Sequence, residues 1–244
     1  MESGGPRAMA QGMYMIDPRG VRDISGEVLD EQGRLRILPA AYWAGTTAPE
    51  RMLFGVKHAF YSFPTVELVD WLRTFIGDRS AIEVGAGSGV LAEALGIPGT
   101  DSFQQDEPRY RATYEATKQP TVRYGPDVVQ VDANAAVRRF RPDVVIGCWV
   151  THRYDPGRHT AGGNEAGIDE EDVLEHCSAY VVVGNQRVHE GKKIWKRKHT
   201  IEYPEWVYSR AMNGSPDFVA VWRGKGAQRA KGARKPWRAN RGRR

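Results

Sequence analysis

The chain predicts an α/β fold: a doubly wound, mostly parallel sheet of seven strands that ends in an antiparallel C-terminal hairpin. Three observations predict it. Short apolar runs alternate with segments of helical period from residue 65 to residue 183. Two of the runs, Val144-Val145-Ile146 and Val181-Val182-Val183, are apolar without alternation, as strands covered on both faces must be. The last two strand-like runs are separated by a turn rather than a helix, so they should pair antiparallel.

Residues 1–12 are rich in Gly, Ala and Met and read as disordered. Residues 14–49 hold short apolar patches broken by Gly and Pro, so 1–57 reads as an irregular N-terminal segment with one hairpin. Val66, Leu68, Val69, Leu72 and Phe75 recur at helical spacing between Pro64 and Gly77, which predicts a helix over 65–75 leading into a strand at 81–84. A Gly-rich turn over 85–89 then opens a helix that runs to residue 95. Strands follow at 100–103, 128–131, 143–150 and 180–183, with helices at 108–117, 133–140 and 169–177 between them. A polar loop occupies 151–167. Residues 200–203 and 207–208 precede the turn Asn213-Gly214-Ser215-Pro216, and 218–222 is the final strand.

A hydrophobic content of 41% with 10% aromatic residues suffices for a core, which excludes wholesale disorder. The longest apolar run, over 144–150, is far short of the ~18 residues of a membrane span. The first residues lack the apolar core of a secretory signal, so a soluble, cytoplasmic protein is expected. Cys148 and Cys177 are the only cysteines, too few for a disulfide framework or a cysteine-rich zinc site, and no metal is expected. The net charge of +5 is unevenly placed. Ten of the 35 Lys and Arg lie in residues 223–244, which hold no acid, leaving 25 against 30 acids in residues 1–222. The body is acidic. The tail 223–244 reads as a disordered basic segment that is expected to engage DNA or RNA.

The informative motif is Ala81-Ile82-Glu83-Val84-Gly85-Ala86-Gly87-Ser88-Gly89: an apolar strand carrying an acid, alternate glycines, then a helix. Glycines permit a tight turn and close approach of the backbone to a ligand. A dinucleotide fingerprint needs its third glycine at position 90, which is Val, and no Lys-Ser/Thr pair follows as in a P-loop. The segment resembles motif I of the class I S-adenosylmethionine-dependent methyltransferases, and the resemblance in organisation extends over roughly residues 60–222, within a domain expected over 58–222.

That resemblance implies S-adenosylmethionine as cofactor, six parallel strands plus one antiparallel, and a set of cofactor-binding positions. Glu83, Gly85, Gly87 and Gly89 would hold the methionine end, and Asp101 with Ser102 the ribose hydroxyls. Asp132 and Ala133 would receive the adenine, and Cys148 would begin the loop beside the methyl group. Asp101 and Asp132 serve equally well as helix caps. Cys148 reads as a small residue ending a strand, with a nucleophilic role the alternative.

The loop 151–167 is where the acceptor should enter. His152 is the candidate general base with Asp155 to orient it; ordinary loop roles are the alternative. Tyr154 and Trp149 are candidate acceptor contacts there. Tyr61, in the aromatic segment 58–65, and Asn185 and His189, after the fifth strand, complete the set, with packing and turn formation as alternatives. The basic run 192–198, with Trp195 inside it, reads either as a nucleic-acid-facing loop or as a solvated connection. The expected function is methyl transfer to a nucleic acid. The alternatives are a small-molecule or protein acceptor, or a non-catalytic nucleic-acid-binding protein on the same fold.

Overall fold

The computed structural model describes residues 19–228. Before the sheet come α1 (Ser25–Val28), α2 (Ala40–Ala44) and α3 (Ala48–His58). Residues 1–57 are therefore not an irregular segment over the part that is described. Thr47 and Glu50 form a reciprocal capping box, with Glu50 N–H donating to Thr47 Oγ1 at 3.3 Å and Thr47 N–H to Glu50 Oε2 at 2.7 Å. Pro49, read as a breaker, sits in the first turn of α3, where its missing N–H costs nothing. The expected hairpin shrinks to one antiparallel bridge, Leu29 with Leu35. Ile24, Val28, Trp43, Phe54 and Phe63 form a separate small core, with Trp43 stacked on Phe63 at 4.5 Å.

The remaining elements follow in chain order. They are β1 (Ser62–Phe63), α4 (Val66–Ile76), β2 (Ala81–Val84), α5 (Val90–Leu95), β3 (Gly99–Asp101), α6 (Pro108–Ala116), β4 (Val129–Gln130), α7 (Ala133–Phe140), β5 (Val144–Cys148), α8 (Glu170–His176), β6 (Ala179–Asn185), α9 (Gln186–His189), β7 (His199–Glu202), β8 (Tyr208–Ser209) and β9 (Asp217–Arg223). Seven strands make one sheet in the order β4-β3-β2-β5-β6-β9-β7. Only β9 is reversed, antiparallel to both of its neighbours. It lies inside the sheet, paired along all of β6, so β7 alone forms that edge. Tyr208 and Ser209 do not continue β7. They pair with Phe63 and Ser62 in a separate two-stranded ribbon.

Successive side chains of a strand point to opposite faces. Val144, Ile146, Val181 and Val183 pack under α4 and α5 on Leu68, Leu72 and Leu91. Val145, Tyr180 and Val182 pack under α7 and α8 on Val137, Val173 and Trp222. The unbroken apolar runs thus serve two cores at once. The body also extends beyond residue 222. Arg223 pairs with Ala179, Gly224 N–H donates to Ser178 O, and 225–228 form a turn of 3-10 helix beside α8. The expectation for the rest of the tail, and for residues 1–12, falls outside the described residues.

Six parallel strands end at one edge of the sheet, where open α/β sheets bind their ligands. The turns after β2, β3, β4, β5, β6 and β7 all open there.

Candidate active site

A cleft of about 2110 Å³ runs along that edge, lined among others by Glu83, Gly87, Asp101, Trp149, His152 and Arg210. A drug-sized ligand fills roughly 300–1,000 Å³, so this open groove exceeds the volume of one such ligand. The Gly-rich turn forms one wall. Gly85 and Gly87 have φ of +63° and +53°, and a Cβ on Gly85 would lie 2.7 Å from Val150 Cγ1. Both positions need glycine, for conformation and for space.

Glu83 is buried, and its Oε2 has no hydrogen-bond partner. Burial pushes its carboxyl up to about 8; the Ala92 amide works against this and Asp101 adds to it. The sign follows from linkage. Between about pH 4.5 and 8 the native state keeps a proton that the unfolded chain has lost, so stability falls as pH rises through that window, by at most about 1.4 kcal/mol per pH unit. Urea denaturation at pH 5.5 and 7.5 should show the loss, and Glu83→Gln should flatten it. An equal slope in the variant would refute the assignment.

Asp101 ends β3 and reaches across to the turn: Gly87 N–H donates to its Oδ2 and Phe103 N–H to its Oδ1, both at 3.0 Å. Burial raises its pKa against these bonds. Each carboxylate oxygen retains acceptor capacity for a ligand hydroxyl. Ser102 and Ala133 line the same cleft. Asp132 is exposed outside it and caps α7, accepting the Ala135 N–H at 3.0 Å. Of its two readings the cap is the one the contacts realise. The segment 120–127, to which the sequence reading assigned no role, folds over the glycines. There Gly125 N–H donates to Gly87 O, and Tyr124 stacks on Phe103 at 4.0 Å and 6°.

After β5 the chain turns sharply at Trp149, whose φ is +57°. Cys148 Sγ lies 3.1 Å from Ser62 Oγ, and burial, reinforced by Glu83, pushes its thiol up to about 12. A thiol held protonated in this way is a poor nucleophile, in keeping with its reading as a small residue ending a strand. His152 lines the cleft with Nε2 buried and unpartnered. Burial first, then the Lys192 ammonium, lowers its pKa, while a bond to the Ala161 backbone raises it.

Asp155 does not orient His152. It accepts the Gly157 N–H at 2.9 Å as the cap of a short helix, outside the cleft. Tyr154 also lies outside, its hydroxyl 2.8 Å from His159 Nδ1. The loop is less irregular than its length suggested, since bridges tie His152 to Ile168 and Arg153 to Asn164.

Tyr61 and Trp149 both line the cleft, with ring centroids 6.4 Å apart. His189 also reaches it, packed edge-on to Trp149 and held neutral, its pKa pushed down to about 3 by burial and then by Lys192. Asn185 does not. Its amide donates to Ser215 O and Asp217 Oδ1, and its carbonyl accepts from Asn213 and Ser215, so packing has used its polar capacity.

The basic run 192–198 divides: Lys192 turns into the core, while Lys193, Lys196, Arg197 and Lys198 are exposed. Lys192 is fully buried, donating to Glu170 Oε1 at 2.8 Å and to Val150 O at 2.9 Å. Lys193 and Arg197 both pair with Glu171. Trp195 packs on Phe218 and Trp222. Two acids of α8, Glu170 and Glu171, thus pair with three of the five cations of the run. Among the described residues no helix is long and apolar enough to cross a membrane, and no three metal-ligating side chains gather.

No protein-family model and no curated protein matches the chain. Among solved structures it is similar to the bifunctional kinase–methyltransferase WbdD, at 14% identity and a TM-score of 0.38 over 64% of this chain and 37% of that one. The methyltransferase domain of bacterial CtHen1-CN gives 12% and 0.36 over 64% and 96%. A SAM-dependent methyltransferase from Agrobacterium tumefaciens gives 11% and 0.33 over 65% and 61%. The chain thus spans little more than a third of WbdD. Likeness at this level leaves the assignment to the chain's own topology. Six parallel strands, one reversed strand set inside the sheet, and an acid-bearing first strand running into a glycine turn are the class I methyltransferase fold.

Proposed function

We propose that the protein transfers a methyl group from S-adenosylmethionine to an acceptor seated against the loop 149–152. One observation carries this reading. Five buried side-chain polar atoms lack a partner among the described residues, and four of them line the one cleft: Glu83 Oε2, Trp149 Nε1, His152 Nε2 and Asn164 Oδ1. Buried polar groups are nearly always satisfied, so a cluster of unsatisfied ones around a cavity is what a ligand would complete.

The residues fit the cofactor. Glu83 and the backbone of 85–89 would hold its amino-acid end, and Asp101 its ribose hydroxyls. When bound it would supply an electrophilic methyl group on a sulfonium centre. The chain's own part is to align, to exclude water and to take a proton. Alignment alone is worth up to about 7–11 kcal/mol. Trp149 and Tyr61 wall the acceptor side, and His152 Nε2, neutral and unpartnered, accepts the proton an acceptor N–H or O–H must lose. The charge that favours a nucleic-acid acceptor lies chiefly in residues 223–244, which hold ten cations and no acid.

The test is transfer of label from the cofactor to pools of DNA, RNA, protein and small metabolites, followed by His152→Ala on whichever pool accepts. The variant should lose about 10²–10⁴-fold in kcat with little change in KM. Absence of transfer to every pool would overturn the function, and an unchanged kcat would overturn the base.

A further inference from the structure

The ribbon of β1 and β8 brings together two residues 149 positions apart. Ser62 opposes Ser209 and Phe63 opposes Tyr208. One step beyond that register, Arg210 N–H donates to Tyr61 O at 3.1 Å. The Arg210 guanidinium then lies over the Tyr61 ring, 3.8 Å from its centroid. Both side chains line the cleft, as does Tyr114 from α6.

The cation is built into place. Its stem runs against Gly55 in the interior of α3, where a Cβ would come within 2.7 Å of Arg210 Cβ and of the Phe60 carbonyl. Glycine costs a helix interior about 1 kcal/mol relative to alanine. Here it clears the path for the arginine. Arg210 forms no ion pair among the described residues; its hydrogen bonds go to Gly55 O, at 3.4 Å, and to the Tyr61 side chain. Burial lowers its pKa without displacing the charge from neutral pH. The other partly buried arginine of this region, Arg51, spends its Nη1 on three backbone and hydroxyl oxygens of 43–46. Arg210 therefore stands as a positioned cation, backed by the Tyr61 ring, with its fork of donors largely uncommitted.

Its place in the fold says which ligand it would meet. β7 runs parallel to the sheet, so the connection 203–216 that carries Arg210 emerges at the ligand edge. Beside Tyr61 stands Trp149, its ring centroid 6.4 Å away, at the head of the loop proposed to receive the acceptor.

Resting on the methyl-transfer reading, we infer that Arg210, backed by Tyr61, is the recognition site for an oxyanion of the acceptor, a carboxylate or a phosphate. A planar guanidinium binds either group through paired N–H donors. The body is acidic, with 25 basic residues against 30 acids in residues 1–222, so its overall field does not draw in a polyanion. A single local oxyanion is what this site suits.

The experiment uses benzoate and phenyl phosphate as probes on the full chain, with benzamide as the neutral control, and reads binding by calorimetry and tryptophan fluorescence. The ring lets each probe bury against Tyr61 and Trp149. One of the two oxyanions should bind at least about tenfold more tightly than benzamide, and the stronger of the pair distinguishes carboxylate from phosphate. Arg210→Met should erase that preference. Arg210→Lys, which keeps the stem on Gly55, should retain part of it as a point charge. S-adenosylhomocysteine should bind wild type and both variants alike. Benzamide binding as well as both oxyanions would overturn the proposal, and that comparison needs no variant. A tenfold loss of S-adenosylhomocysteine affinity in Arg210→Met would overturn it too, by giving the cation to the carboxylate of the cofactor. Gly87→Leu separates the two readings. It should leave benzoate or phenyl phosphate binding intact, and if it left S-adenosylhomocysteine binding intact as well, the cofactor site would fail while the oxyanion site stood.

Discussion

Replacing Lys192 by methionine is expected to destabilise the protein by about 3–5 kcal/mol, the loss that follows when one partner of a buried ion pair is removed. The side chain is fully buried and bonds Glu170 Oε1 and Val150 O at 2.8 and 2.9 Å. Tyr180 O–H donates to the same carboxylate oxygen at 3.1 Å. Without the ammonium, Glu170 remains buried with only that phenol beside it. The double variant Lys192→Met/Glu170→Gln should recover most of the loss, because no uncompensated charge is left. Denaturant midpoints at constant m report both values. A single-variant loss below about 1 kcal/mol, as for an exposed pair, would show that water reaches the site. The same ammonium holds the Val150 carbonyl, between Trp149 and His152, so the single variant should also loosen the loop that faces the acceptor.

Gly87→Leu is expected to abolish binding of S-adenosylhomocysteine, with an affinity loss of at least about 100-fold. Its φ of +53° costs an L-residue roughly 1–2 kcal/mol. A Cβ there would also lie 3.3 Å from Val122 Cγ1, so the leucine must grow into the cleft or push away the segment 120–127. Calorimetry on the folded variant reads the result, with circular dichroism to establish folding. Unchanged affinity would mean that no ligand approaches this turn closely, and the glycine reading of the motif would fail.

The parallel core was legible because its physics is local. Val181–Val183 must be covered on both faces whatever surrounds them, and strand-turn-helix spacing at 81–95 leaves few alternatives. The placement of Glu83, the glycines and Asp101 at one edge of the sheet was legible for the same reason, since the pattern locates the strands that carry them. The errors share the opposite cause. Asp155 and Asn185 are polar residues in the right loops, but a side chain's remaining valence depends on neighbours that sequence does not place. Asp155 is spent on the amide of Gly157, two residues away, and Asn185 on Ser215 and Asp217, some thirty residues on. The helix α3 was missed because its only local sign is a capping box around a proline.

The sequence by itself determined the sheet, its glycine turn and the acids at its strand ends, because burial on two faces and positive φ are demands each segment makes alone. Tertiary structure alone decided which charges are free. Lys192 and Arg210 are indistinguishable from other basic residues along the chain. Folding sets one against Glu170 in the core and the other over Tyr61 in the cleft, because ion pairing depends on distance in space, and only the packed sheet and its ribbon fix those distances.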